Sequence, residues 1–487
     1  MSNATIISFE TLVDIHNDEE QQVIFKVVQP NEFGGVQQAF EYQKETMPLW
    51  GSNEESVSEY GKLLRESLLR HEAVKQAFKK MLLPSNEIRP LFLYIDSDEA
   101  EQLYWETLVD EQDEFLALNP NWPIARFARS AFTEIGDIDE DKKITLILPL
   151  RLFACLSGVG LDPKPEWLQL RAAILRAQAE GLSIEAKVYV SNVDLFIEID
   201  AEIKSGHLVG IEVALIKDNS SELLREMRKY KPHIIHFFCH GTVVHEPRLE
   251  IAPTTDAMED GGRASITVIV EALIRACRAS KTWLVILNCC HGANTTELNL
   301  DDAESNNNLQ SMVRKLVANG VPAAIGMLDT IDVNDAHVFC AGLYASLFDK
   351  LVEVVTETPD GQLAELRFEE TLLAGRTNIA ERYRNGNGRQ SDKRQHQWAL
   401  PSLYLRHEQF YFAIQQKDGS QPIIGIDNQS PKDISIKPAI EPDNDSDREV
   451  LRFLRMARPD LPIEIRKRIL EILTIKPDTP GALFGEL

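Results

Sequence analysis

From about residue 150 onward, short apolar runs alternate with stretches in which apolar residues recur every three or four positions. Leu152 to Leu156, Ile211 to Leu215, His233 to Phe238, Leu284 to Leu287 and Ala323 to Met327 are short and nearly continuous in apolar character. That is the pattern of strands buried on both faces. Between them, Trp167 to Ala179, Ser221 to Lys229, Ile266 to Ala279, Leu309 to Ala318 and Asp335 to Leu351 carry helical periodicity. Strands alternating with helices predict an α/β fold, a mostly parallel sheet flanked by helices on both faces. The run Glu185 to Ser205 breaks the rhythm and reads as an inserted hairpin.

The flanking regions read differently. Residues 1–90 begin with two alternating, strand-like segments, Ile6 to Val13 and Val23 to Val28, and continue into an amphipathic helix from Tyr60 to Met81. Pro84 and Pro90 punctuate the boundary, after which Leu91 to Ile95 forms a buried strand ending at Asp96. Residues 1–90 are therefore expected to form part of the main domain or pack on it, with that domain running over residues 91–416. Arg384 to Gln397 is polar and rich in Asn and Gly, a mobile loop and a candidate for self-cleavage. Residues 417–446 are polar and rich in Pro, Asp and Ser, as a linker would be. Residues 447–487 return to helical periodicity (Val450, Leu451, Leu454, then Ile465, Ile469, Leu470, Leu473), with Pro459 and Pro462 dividing two helices of a small C-terminal helical domain.

Composition narrows the function. With 44% hydrophobic and 26% charged residues over 487 positions, the chain is an ordinary globular one. A formal net charge of −25 speaks against nucleic acid as a partner, since phosphate binding needs a basic surface. The chain shows neither a signal peptide nor a run approaching the ~20 apolar residues of a membrane span, so no membrane association is expected. Its six cysteines sit mostly inside apolar runs rather than at framework spacings, which predicts a reduced, cytoplasmic protein.

Two of the apolar runs end in reactive side chains. His236-Phe237-Phe238-Cys239-His240-Gly241 delivers an imidazole, and Leu287-Asn288-Cys289-Cys290-His291-Gly292 a thiol. Reactive groups in a parallel sheet collect beyond the carboxyl ends of the strands. If the two strands are neighbours, His240 and Cys290 face one crevice, where the imidazole takes the thiol proton and the thiolate is the nucleophile. The backbone N–H groups of Gly241 and Cys290 are then candidate oxyanion donors. His236 reads as a buried, hydrogen-bonded histidine. Cys239, His240, Cys289, Cys290 and His291 are all of zinc-ligand type, but adjacent residues leaving a strand point to opposite sides, so neither a metal nor another cofactor is expected.

At these residues the chain resembles the CHAT domain, a caspase-like cysteine peptidase family related to separases. His236 to Gly241 matches its histidine motif, and Asn288 to Gly292 its cysteine motif, with Cys290 at the nucleophile position. Val321 to Met327, Trp398 to Leu405 and Leu103 to Leu108 resemble three further family segments. Two departures stand out: His291 replaces an acidic residue, and Asp329 a tryptophan. The resemblance implies a caspase-like fold and a cysteine endopeptidase that cleaves a protein substrate in bacterial antiviral defence or regulated cell death. A gasdermin-like pore former is one such substrate, and an upstream activator acting through the C-terminal helical tail is a second implied partner. It also implies a pocket for the substrate side chain before the cleaved bond (P1), near the strand after the cysteine, for which Asp329 and Asp332 are the acidic candidates. The competing reading is a catalytically inactive CHAT scaffold.

Overall fold

Each of these apolar runs is a strand in the computed structural model, which describes residues 4–13, 21–41, 54–128, 143–217, 219–243, 247–254, 265–289, 308–358, 363–384, 396–406 and 411–415. The first part of the chain contributes β1 (Thr5–Val13), β2 (Gln21–Gln29), β3 (Gln38–Ala39), α1 (Glu54–Leu69), α2 (Glu72–Met81), β4 (Leu91–Asp96), α3 (Asp98–Glu101), β5 (Ile124–Ala128) and β6 (Lys143–Ile147). Next come β7 (Leu150–Leu156), α4 (Lys164–Ala179), β8 (Ile184–Val190), α5 (Val193–Lys204), β9 (Ile211–Leu215), α6 (Ser220–Tyr230), β10 (Ile234–Val243), β11 (Pro247–Ile251) and β12 (Ile266–Ile269). The remainder supplies α7 (Val270–Ser280), β13 (Leu284–Cys289), α8 (Asn308–Ala318), β14 (Ala323–Met327), α9 (Val333–Glu357), β15 (Leu363–Ala364), α10 (Phe368–Arg384), β16 (Pro401–Arg406) and β17 (Tyr411–Gln415).

Fourteen strands form one sheet whose spine runs β3-β2-β1-β4-β5-β16-β14-β13-β10-β7-β8-β9. Strands β1, β4, β5 and β16 run parallel to one another, as do β14, β13, β10, β7, β8 and β9. The two parallel blocks meet at the antiparallel pair β14–β16 and so run in opposite directions. The first strands of the chain join this sheet through the parallel pairing of β1 with β4. Strands β11 and β12 extend from the end of β10, and β15, β17 and β6 form a separate small sheet.

Alternation along the strands divides the core. Ile234, Phe238, Leu284 and Ile286 face α4, α9 and α10, whereas Phe153, Cys155, Phe237, Cys239, Leu287 and Cys289 face α6, α7 and α8. Gly326 of β14 lies close under α8: a Cβ there would lie 2.3 Å from Val313 Cγ2. Among the described residues, no helix is long and apolar enough to cross a membrane.

Three elements differ from the sequence reading. Glu185 to Ser205 is not a hairpin but most of a strand–helix unit, β8 and α5, divided by Asn192, whose side chain accepts from Leu195 N–H at 3.0 Å. Asn favours this capping position because its oxygen satisfies a donor the helix leaves open. Ile266 to Ile269, β-branched throughout, is a strand that precedes the helix beginning at Val270. The helix foreseen from Tyr60 to Met81 is two, because His71 Nδ1 accepts from Ala73 N–H and starts a second one. The expected linker 417–446, the helical domain 447–487 and positions 385–395 of the polar loop lie outside the described residues.

Candidate active site

Strands β7, β10 and β13 lie side by side and parallel, so their carboxyl ends lie together at one edge of the sheet. The ladder between β10 and β13 pairs Phe237 with Leu287, Phe238 with Asn288 and Cys239 with Cys289. The two reactive-ended runs are therefore neighbours in register. His240 is the residue after Cys239, and Cys290 the residue after Cys289. Cys290 itself lies outside the described residues.

His240 is half-buried, and its Nε2 lies 2.7 Å from the carbonyl oxygen of Val159, in the loop after β7. A carbonyl can only accept, so this contact makes Nε2 the protonated nitrogen and Nδ1 the basic one in the neutral ring. The supporting loop is tied down in turn. Ser157 N–H donates to Phe238 O at 2.8 Å, and Ser157 Oγ donates to Ala252 O at 2.7 Å and lies 2.6 Å from Ser191 Oγ. At Gly158 a Cβ would sit 3.2 Å from Cys239 Cα and 2.6 Å from Leu161 Cδ1, so a side chain there would crowd the strand just before His240. Gly241 is buried in the ladder between β10 and β11, opposite Leu249.

Cys239 and Cys289 occupy the other face. Their sulfurs are 3.9 Å apart, both thiols are buried, and both pack in the core beneath α6, α7 and α8. A thiol held there cannot reach a substrate at the sheet edge, which assigns Cys289 to packing.

On the face that carries His240, a buried carboxylate joins both strands to the helices. Glu166 of α4 accepts from Asn288 Nδ2 at Oε1 (2.7 Å) and lies 2.7 Å from His337 Nδ1 at Oε2. His236 Nε2 is 3.0 Å from Glu166 Oε1, yet neither ring nitrogen of His236 has an aligned hydrogen-bond partner. His236 is thus buried as expected, with Glu166 close beside it, but the hydrogen bond expected of it is not aligned. Burial alone would raise the Glu166 pKa; the His236 and His337 rings outweigh it and hold the carboxyl at about 2. Burial, with Glu166 beside it, drives the Cys340 thiol well above its ordinary range. Asn288 Oδ1 and Tyr344 Oη also lack hydrogen-bond partners, and such buried orphans cost about 1–3 kcal/mol each. Among the described residues, Glu166, His236 and Cys340 are the group whose donor atoms could surround a metal ion, lying within 4.8 Å of one another.

The acidic candidates for substrate selection sit on the turn between β14 and α9. Asp329 Oδ2 accepts from Tyr104 Oη at 3.1 Å and its Oδ1 from Thr330 N–H at 2.6 Å. Leu287 faces Gly326 across the β13–β14 ladder; Asp329 lies three residues past Gly326, as Cys290 lies three past Leu287. Asp332 instead caps α9, its Oδ1 accepting from Asn334 N–H at 2.9 Å and Nδ2 at 3.2 Å.

The sequence model of the CHAT domain matches residues 58–353, more than half of the chain. The chain belongs to the CHAT domain family. CHAT domains form a caspase-like protease family. A structure of the Saccharomyces cerevisiae separase–securin complex is similar over 73% of this chain and 18% of the separase-complex chain, at 12% identity and a TM-score of 0.33. No curated protein matches.

In this CHAT domain two of the further motif segments meet just past the end of the third, which forms β14. Tyr104 reaches Asp329, and Leu328 N–H donates to Leu400 O at 2.9 Å; Gln397, just before the Trp398 segment, accepts from Asp332 N–H at Oε1 (2.6 Å). Sequence reasoning did not single out Glu166, Asn288, His337 or Tyr104. Glu166 reads as an ordinary acid in the first turn of a helix, a place the helix dipole favours anyway. The one available signal was Asn288, an amide inside an otherwise apolar strand.

Proposed function

We propose that this chain is a cysteine endopeptidase, with Cys290 as nucleophile and His240 as general base and acid. The observation that carries the reading is the register of β10 and β13, in which Cys239 faces Cys289 and the two reactive residues come next. His240 Nδ1 takes the thiol proton; the thiolate attacks the scissile carbonyl; the protonated imidazole returns the proton to the leaving amine; and water then releases the acyl group. Backbone N–H groups of Gly241 and Cys290 are the oxyanion donors in this scheme. The Val159 carbonyl supports it by selecting the tautomer.

Family membership supports a protein as substrate. We read the setting as bacterial antiviral defence or regulated cell death in a reducing cytoplasm, with a gasdermin-like pore former as a candidate substrate and an upstream activator acting through residues 447–487. The five described cysteines are all free, in keeping with a reducing compartment. The test is to incubate the full chain with the proteins encoded beside it and look for clipped fragments. Cleavage that disappears in Cys290→Ala supports the reading; cleavage that survives in that variant rejects it.

A further inference from the structure

We propose that Glu166 is a positioning residue of the dyad, the post against which the strand bearing His240 and the strand leading to Cys290 are set. The inference rests on the dyad reading above and extends it to a residue that touches neither substrate nor reacting atoms.

A β-ladder fixes register, but it leaves the tilt of the strand ends to whatever packs beneath them. Here the apolar packing on α4, α9 and α10 is pinned by one carboxylate. Oε1 takes Asn288 Nδ2 at 2.7 Å, on β13 two residues before Cys290, and lies 3.0 Å from His236 Nε2, on β10 four residues before His240. Strand alternation puts residues 236 and 240 on one face of β10, and Asn288, on that face of β13, is two positions before Cys290 in the sequence. The other oxygen meets His337 Nδ1 at 2.7 Å, and Asn288 Nδ2 also donates to Ala336 O at 3.1 Å, so α9 is gripped as well. One side chain from α4 thus ties together both strands of the dyad and the helix that follows β14.

An apolar residue would hold these elements with less desolvation, and replacing buried charged groups by well-packed apolar ones is often neutral or better. The hub also leaves His236 Nδ1, Asn288 Oδ1 and Tyr344 Oη without aligned partners. A partly satisfied polar hub in place of an apolar contact fits a role in setting geometry. The groups facing Glu166 are His236 from β10, Asn288 from β13, and His337, Cys340 and Tyr344 from α9. A metal ion is the rival occupant of Glu166, His236 and Cys340, but both carboxylate oxygens already have nitrogen partners.

The experiment follows the rate at which iodoacetamide alkylates Cys290 in the full chain, resolved by mass spectrometry from about pH 5 to pH 10. In the unmodified protein, Cys290 is expected to outpace the other five cysteines, and His240→Ala to remove that advantage. Glu166→Gln, isosteric and uncharged, is expected to slow alkylation at neutral pH roughly tenfold or more and to move its pH midpoint upward, toward that of an isolated thiol. Glu166→Asp should regain part of the loss, and Asn288→Ala should shift both readings the same way by less. With a cleavable substrate, kcat should fall while KM stays within about twofold.

Loss of thermal stability with an unchanged midpoint would make Glu166 structural only and overturn the proposal. So would a downward midpoint, which removal of a buried negative charge alone produces. Stoichiometric zinc in the purified protein would do the same by making Glu166 a ligand. If Glu166→Gln does not fold, Asn288→Ala decides by the same two readings. Failure of the dyad itself looks different: Cys290 would then be no more reactive than its neighbours in the unmodified protein, and this inference would fall with it.

Discussion

Two fully buried carboxylates, one on each half of the sheet, are held in opposite ways. Glu106, in the crossing from β4 to β5, faces Arg126 of β5 as a two-pronged pair, with Nη2 to Oε2 at 2.7 Å and Nε to Oε1 at 3.1 Å. Ser402 of β16 donates to the same carboxylate at 2.8 Å, and Arg126 spends its remaining donors on the carbonyls of Glu101 and Leu103 and on Tyr404 Oη. Burial alone would lower the Arg126 pKa; Glu106 beside it outweighs this and holds it above its ordinary value. Glu166 has no guanidinium. Its partners are two imidazoles and an amide, and aligned bonds are missing around it. The first half of the sheet is fastened by a fixed pair whose guanidinium donors are all placed, and the half that carries the reactive residues by one carboxylate shared among two strands and a helix, with buried polar atoms left over.

The comparison is broken most completely at the dyad. Cys290→Ala should abolish proteolysis and His240→Ala should be nearly as damaging, because nucleophile and base act as a unit. Cys289→Ala should retain most activity, since its thiol is packed against Cys239. Cleavage of a protein substrate by the three variants, each checked for an unchanged melting temperature, reads this directly. Activity lost in Cys289→Ala but kept in Cys290→Ala would put the nucleophile one residue too far along the chain.

Much of this site was legible in the sequence because burial and reactivity both leave marks along a strand. The runs ending at His240 and before Cys290 are apolar because their strands are covered on both faces, and an imidazole or thiol terminating such a run stands out. The helix–strand alternation that predicted the parallel sheet was visible for the same reason. The reversal of direction at β14–β16 was not, since periodicity records which residues are buried and not which way a strand runs. Glu185 to Ser205 was misread because no Gly or Pro separates its strand from its helix; the cap at Asn192 was the sign passed over. Glu166 was out of reach, because Asn288 and His337 lie 122 and 171 positions away along the chain. Only the folded sheet brings them together.

The fixed pair is where the largest stability effect belongs. Arg126→Leu or Glu106→Gln leaves one buried partner uncompensated, which should destabilise the protein by about 3–5 kcal/mol. Denaturant unfolding measures it. The alkylation midpoint of Cys290 should be unchanged in whatever folded protein remains, because this pair lies in the other parallel block. A shifted midpoint would mean the two halves are coupled.

Acid separates the halves next. Glu166 has a folded value of about 2, below the ordinary 4.5, so its contribution is fully present above the unfolded value and is lost as pH falls through the folded one. The interval corresponds to about 3 kcal/mol of stability disappearing between roughly pH 5 and pH 2. Glu166→Gln should flatten that part of the stability profile. A variant as acid-sensitive as the unmodified protein would show that other groups dominate there.

The smallest effect repeats the same distinction on one turn of chain. Asp332 is committed to a backbone donor and an amide at the start of α9, while Asp329 holds only a phenol and its neighbour's N–H on the side chain. Asp332→Ala should therefore cost about 1 kcal/mol of stability, the usual loss of a helix cap, and leave substrate selection as it was. Asp329 is the better placed to meet a basic side chain on the substrate residue before the cleaved bond, because it follows the Leu287–Gly326 pair by three residues, as Cys290 does, and its partner Tyr104 is neutral: burial, with Asp329 beside it, pushes the phenol well above its ordinary range. Asp329→Ala should then lose a preference for Arg over Leu at that position, with little change in stability. Peptides varied at that one residue, read against both substitutions, decide the matter. If the unmodified enzyme prefers Leu, neither carboxylate selects the substrate, and Asp329 serves with Tyr104 to brace the turn.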